Sequence, residues 1–124
     1  MNKKMSSFLS ICMKAGKLRS GEDTCEKLLR GGYVFLIIVA EDASGNTKKK
    51  FFQKTFYYKT PMAIISTKEE LSRCIGKANR SVFAITDGGC AENILEMAKQ
   101  EGGSQIAMNQ TAEILSGNPK MEAF

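Results

Sequence analysis

The sequence predicts an α/β fold, a small layered sheet with helices on both faces. Short, continuously apolar runs alternate along the chain with longer segments of helical periodicity, which is the pattern of strand–helix–strand connections. The apolar runs show no polar alternation, so the strands are expected to be covered on both faces. The chain has 124 residues and is 43% hydrophobic, enough for one ordinary domain.

The first segment predicts a helix, a short strand and a second helix. Residues 5–14 place apolar side chains on one helical face, and Gly16 ends that helix. Lys17–Arg19 is long enough only for a short strand. Ser20–Asp23 fits a capping box, in which the Ser20 hydroxyl accepts from the Asp23 amide, so a helix is expected from there to Gly31.

Two further strand–helix units follow. Val34–Ala40 is predicted as a buried central strand, and a basic helix is predicted from Ser44 to Thr60. Met62–Ile65 is the next buried strand. Thr67–Glu70 is a second capping box, which begins a helix that ends at Gly76.

The last strand is predicted at Val82–Ile85, and the last helix begins at Asp87 and stops at Gly102. These elements give a sheet of about four strands and one domain over residues 1–101. Residues 102–124 are expected to be a flexible polar tail. From Ser104 onward no sheet partner is evident, and one helical stretch is expected at most, around Thr111–Leu115.

Charge is unevenly distributed. Residues 1–80 contain 16 basic and 7 acidic side chains, whereas residues 81–124 contain 2 basic and 6 acidic ones. Such asymmetry favours an anionic partner for one side of the fold, and nucleic acid is the usual candidate. The alternative is an ordinary solvated positive face.

Several function classes are disfavoured by composition. Histidine is absent, which removes the commonest general base and metal ligand. The four cysteines contain no C-x-x-C pair, and the longest apolar run, Val34–Ala40, is too short to cross a bilayer. No secretory signal is evident, so a reduced, cytoplasmic, monomeric protein without metal, cofactor, membrane contact or small-molecule substrate is expected.

The mouth of the second helix is the first candidate site. Gly21 allows a phosphate backbone to come close, and the free amides of the first turn can bind its oxygens, with Lys27 one turn further. The alternative is a well-capped surface helix with Asp23 and Lys27 as an ordinary ion pair.

Two other basic segments are candidates. The loop from Lys77 to Ser81 lies between a helix and a strand and can contact phosphates or serve only as a connection. Lys48–Lys50 would add affinity that depends on salt and not on sequence, although such a run is usually a solvated helix face.

Several spaced motifs carry a family resemblance. Three motifs follow one another along the chain. They are Gly21 with Lys27, then Gly32 before a strand that ends Ala40-Glu41-Asp42, then Lys68-Glu69-Glu70-Leu71 with Gly76. Together they resemble the L-seven-Ae superfamily of kink-turn-binding ribosomal proteins. Lys14-Ala-Gly-Lys17, Ser20-Gly-Glu22 and Ala84-Ile-Thr-Asp87 are similar to its bacterial YlxQ-like branch, and the resemblance covers about residues 5–100.

This resemblance implies a three-layer αβα sandwich about a four-stranded mixed sheet, and binding to kinked RNA with tandem sheared G·A pairs. The family motif G-x-N-E-x-x-K falls on Gly21, Asp23, Thr24 and Lys27. The implied RNA-binding residues are Lys17, Arg19, Gly21, Glu22, Asp23, Thr24, Lys27, Glu41, Ile75, Lys77, Ala78, Asn79 and Arg80. We expect the start of the second helix and the loop before the last strand to converge into a single positive rim that binds a bent RNA.

Two hypotheses follow from these residues. The first is a non-enzymatic protein that binds structured, kink-turn-like RNA, with ribosomal RNA among the candidates. Here Asp23 replaces an amide that both donates and accepts, and Thr24 replaces a longer glutamate. These departures support the alternative, a protein-interaction module on the same fold. An enzyme ranks third, because no base, metal cluster or phosphate loop is evident.

Overall fold

The computed structural model describes residues 1–101 and 105–107. Helices and strands alternate along this part of the chain. Their bounds are α1 (Lys3–Lys14), β1 (Leu18–Ser20), α2 (Glu22–Gly31), β2 (Leu36–Val39), α3 (Gly45–Tyr57), β3 (Met62–Ile64), α4 (Lys68–Cys74), β4 (Val82–Ile85), α5 (Gly88–Glu101) and β5 (Gln105–Ala107).

The strands form one mixed sheet in the order β1-β4-β2-β3-β5. β2 and β3 are parallel, with Ile37 opposite Met62, whereas β4 runs antiparallel to β1 and to β2. The parallel pair is joined by α3, as a crossover connection requires. The predicted α/β class and mixed sheet are confirmed.

Two helix layers enclose the sheet. α2 packs with α3, and α1 packs with α4 and α5. Every residue of β2 and β4 is buried, which explains the continuous apolar runs seen in the sequence. The described part of the chain has no helix with the length and apolar character needed to cross a membrane.

Helix starts follow the sequence at Ser44, Thr67 and Asp87 but not at Ser20. The Ser44 hydroxyl accepts from the Thr47 amide at 3.1 Å, and the Thr67 hydroxyl accepts from the Glu70 amide at 3.2 Å. The capping box predicted at Ser20 is wrong, because Gly21 is the N-cap of α2 and no side chain caps that helix. The chain turns at Gly21 with φ of 102°, which leaves Ser20 as the last residue of β1.

A fifth strand corrects the expectation that no sheet partner exists beyond Ser104. β5 pairs antiparallel with β3, with Ala107 opposite Met62 and Gln105 opposite Ile64. The pairing is made by backbone groups, which any sequence offers. The helical stretch expected around Thr111–Leu115 lies outside the described residues.

The two ends of the sheet carry different features, a groove at one and the exposed tyrosines at the other. We call one the groove end, where β1, β2 and β3 finish and β4 begins. The other is the tyrosine end, where β1, β2 and β3 begin and β4 finishes. In an α/β sheet, ligands commonly bind beyond the carboxyl ends of the parallel strands, which here is the groove end.

Candidate functional site

Gly21 joins the groove end of β1 to α2. Its N–H donates to the Val82 carbonyl at 3.0 Å, so the turn is fixed to the start of β4. Its φ of 102° lies in a region that residues with a side chain rarely adopt. A Cβ here would make only an ordinary contact with Nη1 of Arg80, at 3.8 Å, so the need for glycine comes from the backbone conformation.

The first turn of α2 presents free backbone donors at the groove end. The Cys25 amide donates to the Gly21 carbonyl at 3.0 Å, which closes the first helical turn. In the described part of the chain, the amides of Glu22, Asp23 and Thr24 have no hydrogen-bond acceptor. Three donors at the positive end of a helix dipole form a surface that favours anionic oxygens.

The loop between α4 and β4 approaches the same place. Gly76 and Asn79 adopt left-handed backbone conformations, with φ of 70° and 56°. The Ser72 hydroxyl, on the buried face of α4, accepts from the Arg80 amide at 3.0 Å and donates to the Arg80 carbonyl at 3.1 Å. Ser72 is only 3% exposed, so this clasp fixes the loop from the protein interior.

These two segments line one groove of about 560 Å³. Its lining residues are Ser20, Gly21, Glu22, Asp23, Thr24, Asn79, Arg80 and Ser81. Within the described residues, Nε of Arg80 is buried and lacks a hydrogen-bond partner. The convergence expected from the sequence is therefore present, with an arginine whose donors are incompletely used.

Two acidic residues of the groove differ in their partners. The Glu22 carboxylate lies 3.7 Å from Nζ of Lys50 and accepts from the Thr47 hydroxyl at 3.4 Å. Lys50 of α3 therefore neutralises the negative charge of Glu22. Asp23 and Lys27 are both exposed, and neither has a salt-bridge partner among residues 1–101. The ordinary Asp23–Lys27 ion pair is thus not formed, and both charges face solvent on one side of α2.

Lys50 also ties α2 to α3 through Glu26. Its ammonium group contacts the Glu26 carboxylate, and Lys54 lies 3.7 Å from the other oxygen. The hydrogen bond from Lys50 holds the pKa of Glu26 below its usual value, and the same contact raises the pKa of Lys50. Lys50 is thereby engaged between the helices, and the lysine run is not simply a solvated face.

A second groove of about 550 Å³ continues from the first, and Asn79 lines both. Its other lining residues are Asp42, Lys68, Glu69, Ser72, Arg73, Lys77 and Ala78. The Asp42 carboxylate accepts from the Lys68 amide at 2.8 Å and so caps α4. Lys77 is exposed, which adds a positive charge beside the shared loop.

Lys17 and Arg19 do not join the groove, and this corrects the single positive rim expected from the sequence. Lys17 precedes β1 at the tyrosine end, with Nζ 3.8 Å from Asp87. The Arg19 guanidinium bends toward the same end and donates to the Gly16 carbonyl at 3.1 Å. A strand of three residues spans about 10 Å. β1 therefore separates Lys17, at one end of the sheet, from Gly21 at the other, although the two are close in sequence.

Three other predicted residues also lie outside the groove lining, and one of them, Lys27, is exposed one turn further along α2. Ile75 is 7% exposed and packs in the core, so its side chain supports the loop from below. Glu41 is exposed just after β2, where its amide donates to the Ser66 carbonyl at 2.7 Å. Sequence reasoning missed Ser72, whose one signal was its place next to the apolar Leu71 in a helix made mostly of charged residues.

Metal binding has no support in the described residues, where no group of three or more acidic or cysteine side chains is placed to hold an ion. The four cysteines are free thiols. Burial raises the pKa of the Cys25 thiol to about 12, and burial together with Cys90 raises that of Cys12 to about 12. These thiols are therefore packing groups and poor nucleophiles.

The family model of the ribosomal protein L7Ae/L30e/S12e/Gadd45 family matches residues 3–95, which is most of the chain. The chain belongs to this family. The L7Ae-family match includes every element from α1 to β4, and therefore both segments that line the groove.

Two curated relatives of this L7Ae-family chain bear the same name. It is 39% identical over 90 residues to the RNA-binding protein YlxQ of Bacillus subtilis, which covers 73% of this chain and 90% of that protein. It is 37% identical over 94 residues to the RNA-binding protein YlxQ of Enterococcus faecium, which covers 76% and 90%. The expected similarity to the YlxQ-like branch is confirmed.

Solved structures share the fold. A protein of unknown function from Bacillus halodurans superposes with a TM-score of 0.74 at 31% identity, covering 77% of this chain and 97% of that one. The 15.5 kDa RNA-binding protein of Giardia lamblia gives a TM-score of 0.67 at 16% identity, covering 81% and 92%. At that low identity, the second likeness concerns the L7Ae-like fold alone.

Proposed function

We propose that this protein is a non-enzymatic, cytoplasmic RNA-binding protein that acts as a monomer and recognises structured, kink-turn-like RNA at the groove end. The observation that carries the proposal is that the first turn of α2 and the Asn79–Arg80 loop line one groove. Membership of a ribosomal-protein family, and relatives named as RNA-binding proteins, support the same ligand class.

The groove contains donors suited to a phosphate backbone. The free amides of the first turn of α2 bind oxygens at close range, and Gly21 leaves room for that approach. Arg80 adds a guanidinium whose planar donors match a phosphate, and its buried Nε gains a partner when RNA is bound. Bound RNA would thus supply hydrogen-bond acceptors for backbone and arginine donors that have none in the protein alone.

Asp23 and Lys27 provide the contacts that distinguish bases from backbone. The Asp23 carboxylate only accepts hydrogen bonds, and a guanine amino group exposed in a sheared G·A pair is a suitable donor. Lys27 lies one turn along on the same side of α2 and neutralises a phosphate beside it. Together they favour a guanine edge flanked by backbone.

Shape recognition explains why a kink would be favoured. A sharply bent RNA brings two phosphate backbones together, and this is costly without cations. Arg80 lines the first groove and Lys77 lines the second, and Lys27 is exposed on α2 one turn beyond the residues that line the first. A protein that binds the bent form better than the straight form shifts the RNA population toward it. The second groove, entered past Asn79, would hold a nucleotide splayed from the bend.

The alternative, a protein-interaction module, rests on the exposed and unpaired carboxylate of Asp23. A negative charge at a phosphate-binding mouth repels RNA and can instead bind a basic peptide. Under that alternative, RNA affinity does not depend on the groove.

Calorimetry with two RNAs tests the proposal. One is a kink-turn duplex with tandem sheared G·A pairs, and the other replaces them by Watson–Crick pairs. Each is measured with the natural protein, with Lys27→Ala, with Arg80→Ala and with the control Lys99→Ala, whose exposed lysine lies on α5.

We expect the kink-turn RNA to bind at least tenfold more tightly than its control, and Arg80→Ala to weaken it by about tenfold, as expected for the loss of charged hydrogen bonds. Lys99→Ala should leave affinity unchanged. Equal binding of both RNAs would reduce the protein to a general polycation. Affinity that survives Lys27→Ala and Arg80→Ala would favour the protein-interaction alternative.

A further inference from the structure

The tyrosine end of the sheet exposes a group of aromatic rings. Tyr33 is 64% exposed, Phe35 52%, Tyr57 77% and Tyr58 36%. The sequence contains three tyrosines and no tryptophan, so all of its tyrosines lie at this end. Folding normally buries rings of this size, and their exposure together points to a ligand.

The strand directions place these rings at the same end of the sheet. Phe35 directly precedes β2, and Thr60 lies two residues before Met62, the residue of β3 that pairs with Ile37. Tyr57 and Tyr58 lie at the end of α3, three and two residues before Thr60, and their rings are in edge-to-face contact with centroids 4.9 Å apart. The Phe35 ring packs beside Gly88 at the start of α5, where glycine has no side chain to cover it, and 52% of Phe35 stays exposed.

Basic residues outnumber acidic ones in the segments at this end of the sheet. The segments that meet at this end are residues 14–19, 30–35, 57–61 and 85–89. They contain five basic residues, which are Lys14, Lys17, Arg19, Arg30 and Lys59. Against these they contribute one acidic residue, Asp87, whose carboxylate lies 3.8 Å from Nζ of Lys17. The pattern combines stacking platforms with an excess of cations.

We propose that the tyrosine end is a second binding site, which takes single-stranded RNA by stacking bases on Tyr33, Phe35 and Tyr57 while the surrounding cations bind its phosphates. Aromatic faces accept any base, and a positive surface follows the backbone, so this combination is typical of single-strand recognition without sequence preference. A protein partner would match exposed rings without needing the basic excess.

The site lies away from the groove and does not depend on the proposed function. Lys17 and Arg19, which the groove leaves unused, belong to it. The two sites stand at opposite ends of the same strands, so one protein molecule can hold a structured element and a single strand at once. Its role would then be to join two segments of one RNA.

Tyrosine emission gives a direct test with the full chain, because no tryptophan masks it. A ten-nucleotide oligouridylate and a fluorescein-labelled copy are titrated, one by quenching of tyrosine emission and the other by anisotropy. Tyr57→Ala is compared with Tyr57→Phe, which keeps the ring. Tyr57 is mostly exposed, so neither change disturbs the core.

We expect the oligouridylate to quench tyrosine emission and Tyr57→Ala to weaken its binding about tenfold, within the range measured for loss of one stacked base. Tyr57→Phe should bind like the natural protein. Absence of quenching, or equal weakening by both variants, would overturn the proposal. If oligouridylate does not bind but kink-turn RNA does, only the proposed second site is rejected. If kink-turn RNA does not bind but oligouridylate still quenches tyrosine emission, only the proposed function is rejected.

Discussion

The Ser72 hydroxyl holds the backbone of Arg80 from both sides, accepting from its amide at 3.0 Å and donating to its carbonyl at 3.1 Å. A residue buried in α4 thereby sets the position of the loop that faces α2 across the groove. The loop has few other supports, because Lys77, Ala78 and Asn79 are exposed. The position of one wall of the groove thus depends on a buried side chain of a neighbouring helix.

Ser72→Ala should destabilise the protein by about 1–3 kcal/mol, the usual cost of leaving buried polar groups without partners. RNA affinity should fall together with stability, because the Arg80 loop loses its anchor. Chemical denaturation and calorimetry measure the two effects. Ser7→Ala on the exposed side of α1 is the matched control, and an equal effect there would remove the special role of Ser72.

Asp23→Asn keeps a side-chain oxygen that can accept from a guanine amino group, and it removes a negative charge near phosphates, worth about 1 kcal/mol at contact distance in water. Affinity for kink-turn RNA should therefore rise by about two- to fivefold. The same change should cost about 0.3–1 kcal/mol of stability, because a carboxylate favours a helix N-terminus. Affinity and stability therefore move in opposite directions. Unchanged or weaker RNA binding would show that the carboxylate itself is needed.

Asn79 occupies a left-handed conformation with φ of 56° at the point where the two grooves meet. Asn79→Val should cost about 1–2 kcal/mol of stability from backbone strain, whereas Asn79→Gly should be tolerated. Thermal unfolding compares the two variants with Ala78→Val, the same new side chain at a neighbour whose φ is not positive. Equal losses at both positions would exclude backbone strain as the cause.

The contact between Glu26 and Lys50 gives stability a pH dependence. The pKa of Glu26 is lowered by its hydrogen bond to Lys50, so its contribution is complete above the ordinary glutamate pKa and is lost as pH falls through the lower folded value. The pKa of Lys50 is raised, so its contribution is lost only as pH rises through that higher value.

Glu26→Gln should therefore lower stability at neutral pH by less than about 1 kcal/mol, since Lys50 is 41% exposed and solvent screens the pair. The difference from the natural protein should disappear in acid, once Glu26 is protonated. Melting curves between pH 2 and 8 (about the range in which carboxylates titrate) measure it. A difference that persists in acid would assign the effect to packing.

Most of the fold could be predicted because the pattern of apolar residues in each segment follows from which of its faces are buried. The uniformly apolar runs around Leu36–Val39 and Val82–Ile85 became fully covered strands. β5 could not be foreseen, since Gln105–Ala107 pairs through backbone groups that leave no side-chain signature. The capping box at Ser20 failed because a positive φ at Gly21 moved the helix start by one residue.

The candidate site was half predictable. Gly21 and Arg80 were expected to converge, since both follow from where strands begin and end, and they do. Lys17 and Arg19 were wrongly placed beside the groove because they are close to Gly21 in sequence. The three-residue strand β1 carries the chain between them and the groove, so their side chains lie at the other end of the sheet. Ser72 was missed because a hydroxyl on a buried helix face gives no sign of which backbone it will bind.

The most direct test of the groove end as the RNA site is an amide chemical-shift titration of the full protein with a blunt-ended kink-turn duplex. The account predicts the largest shifts at Gly21–Thr24 and at Asn79 and Arg80, which line the groove. Shifts confined to α5, or to the tyrosine end, with the first turn of α2 unmoved would contradict it.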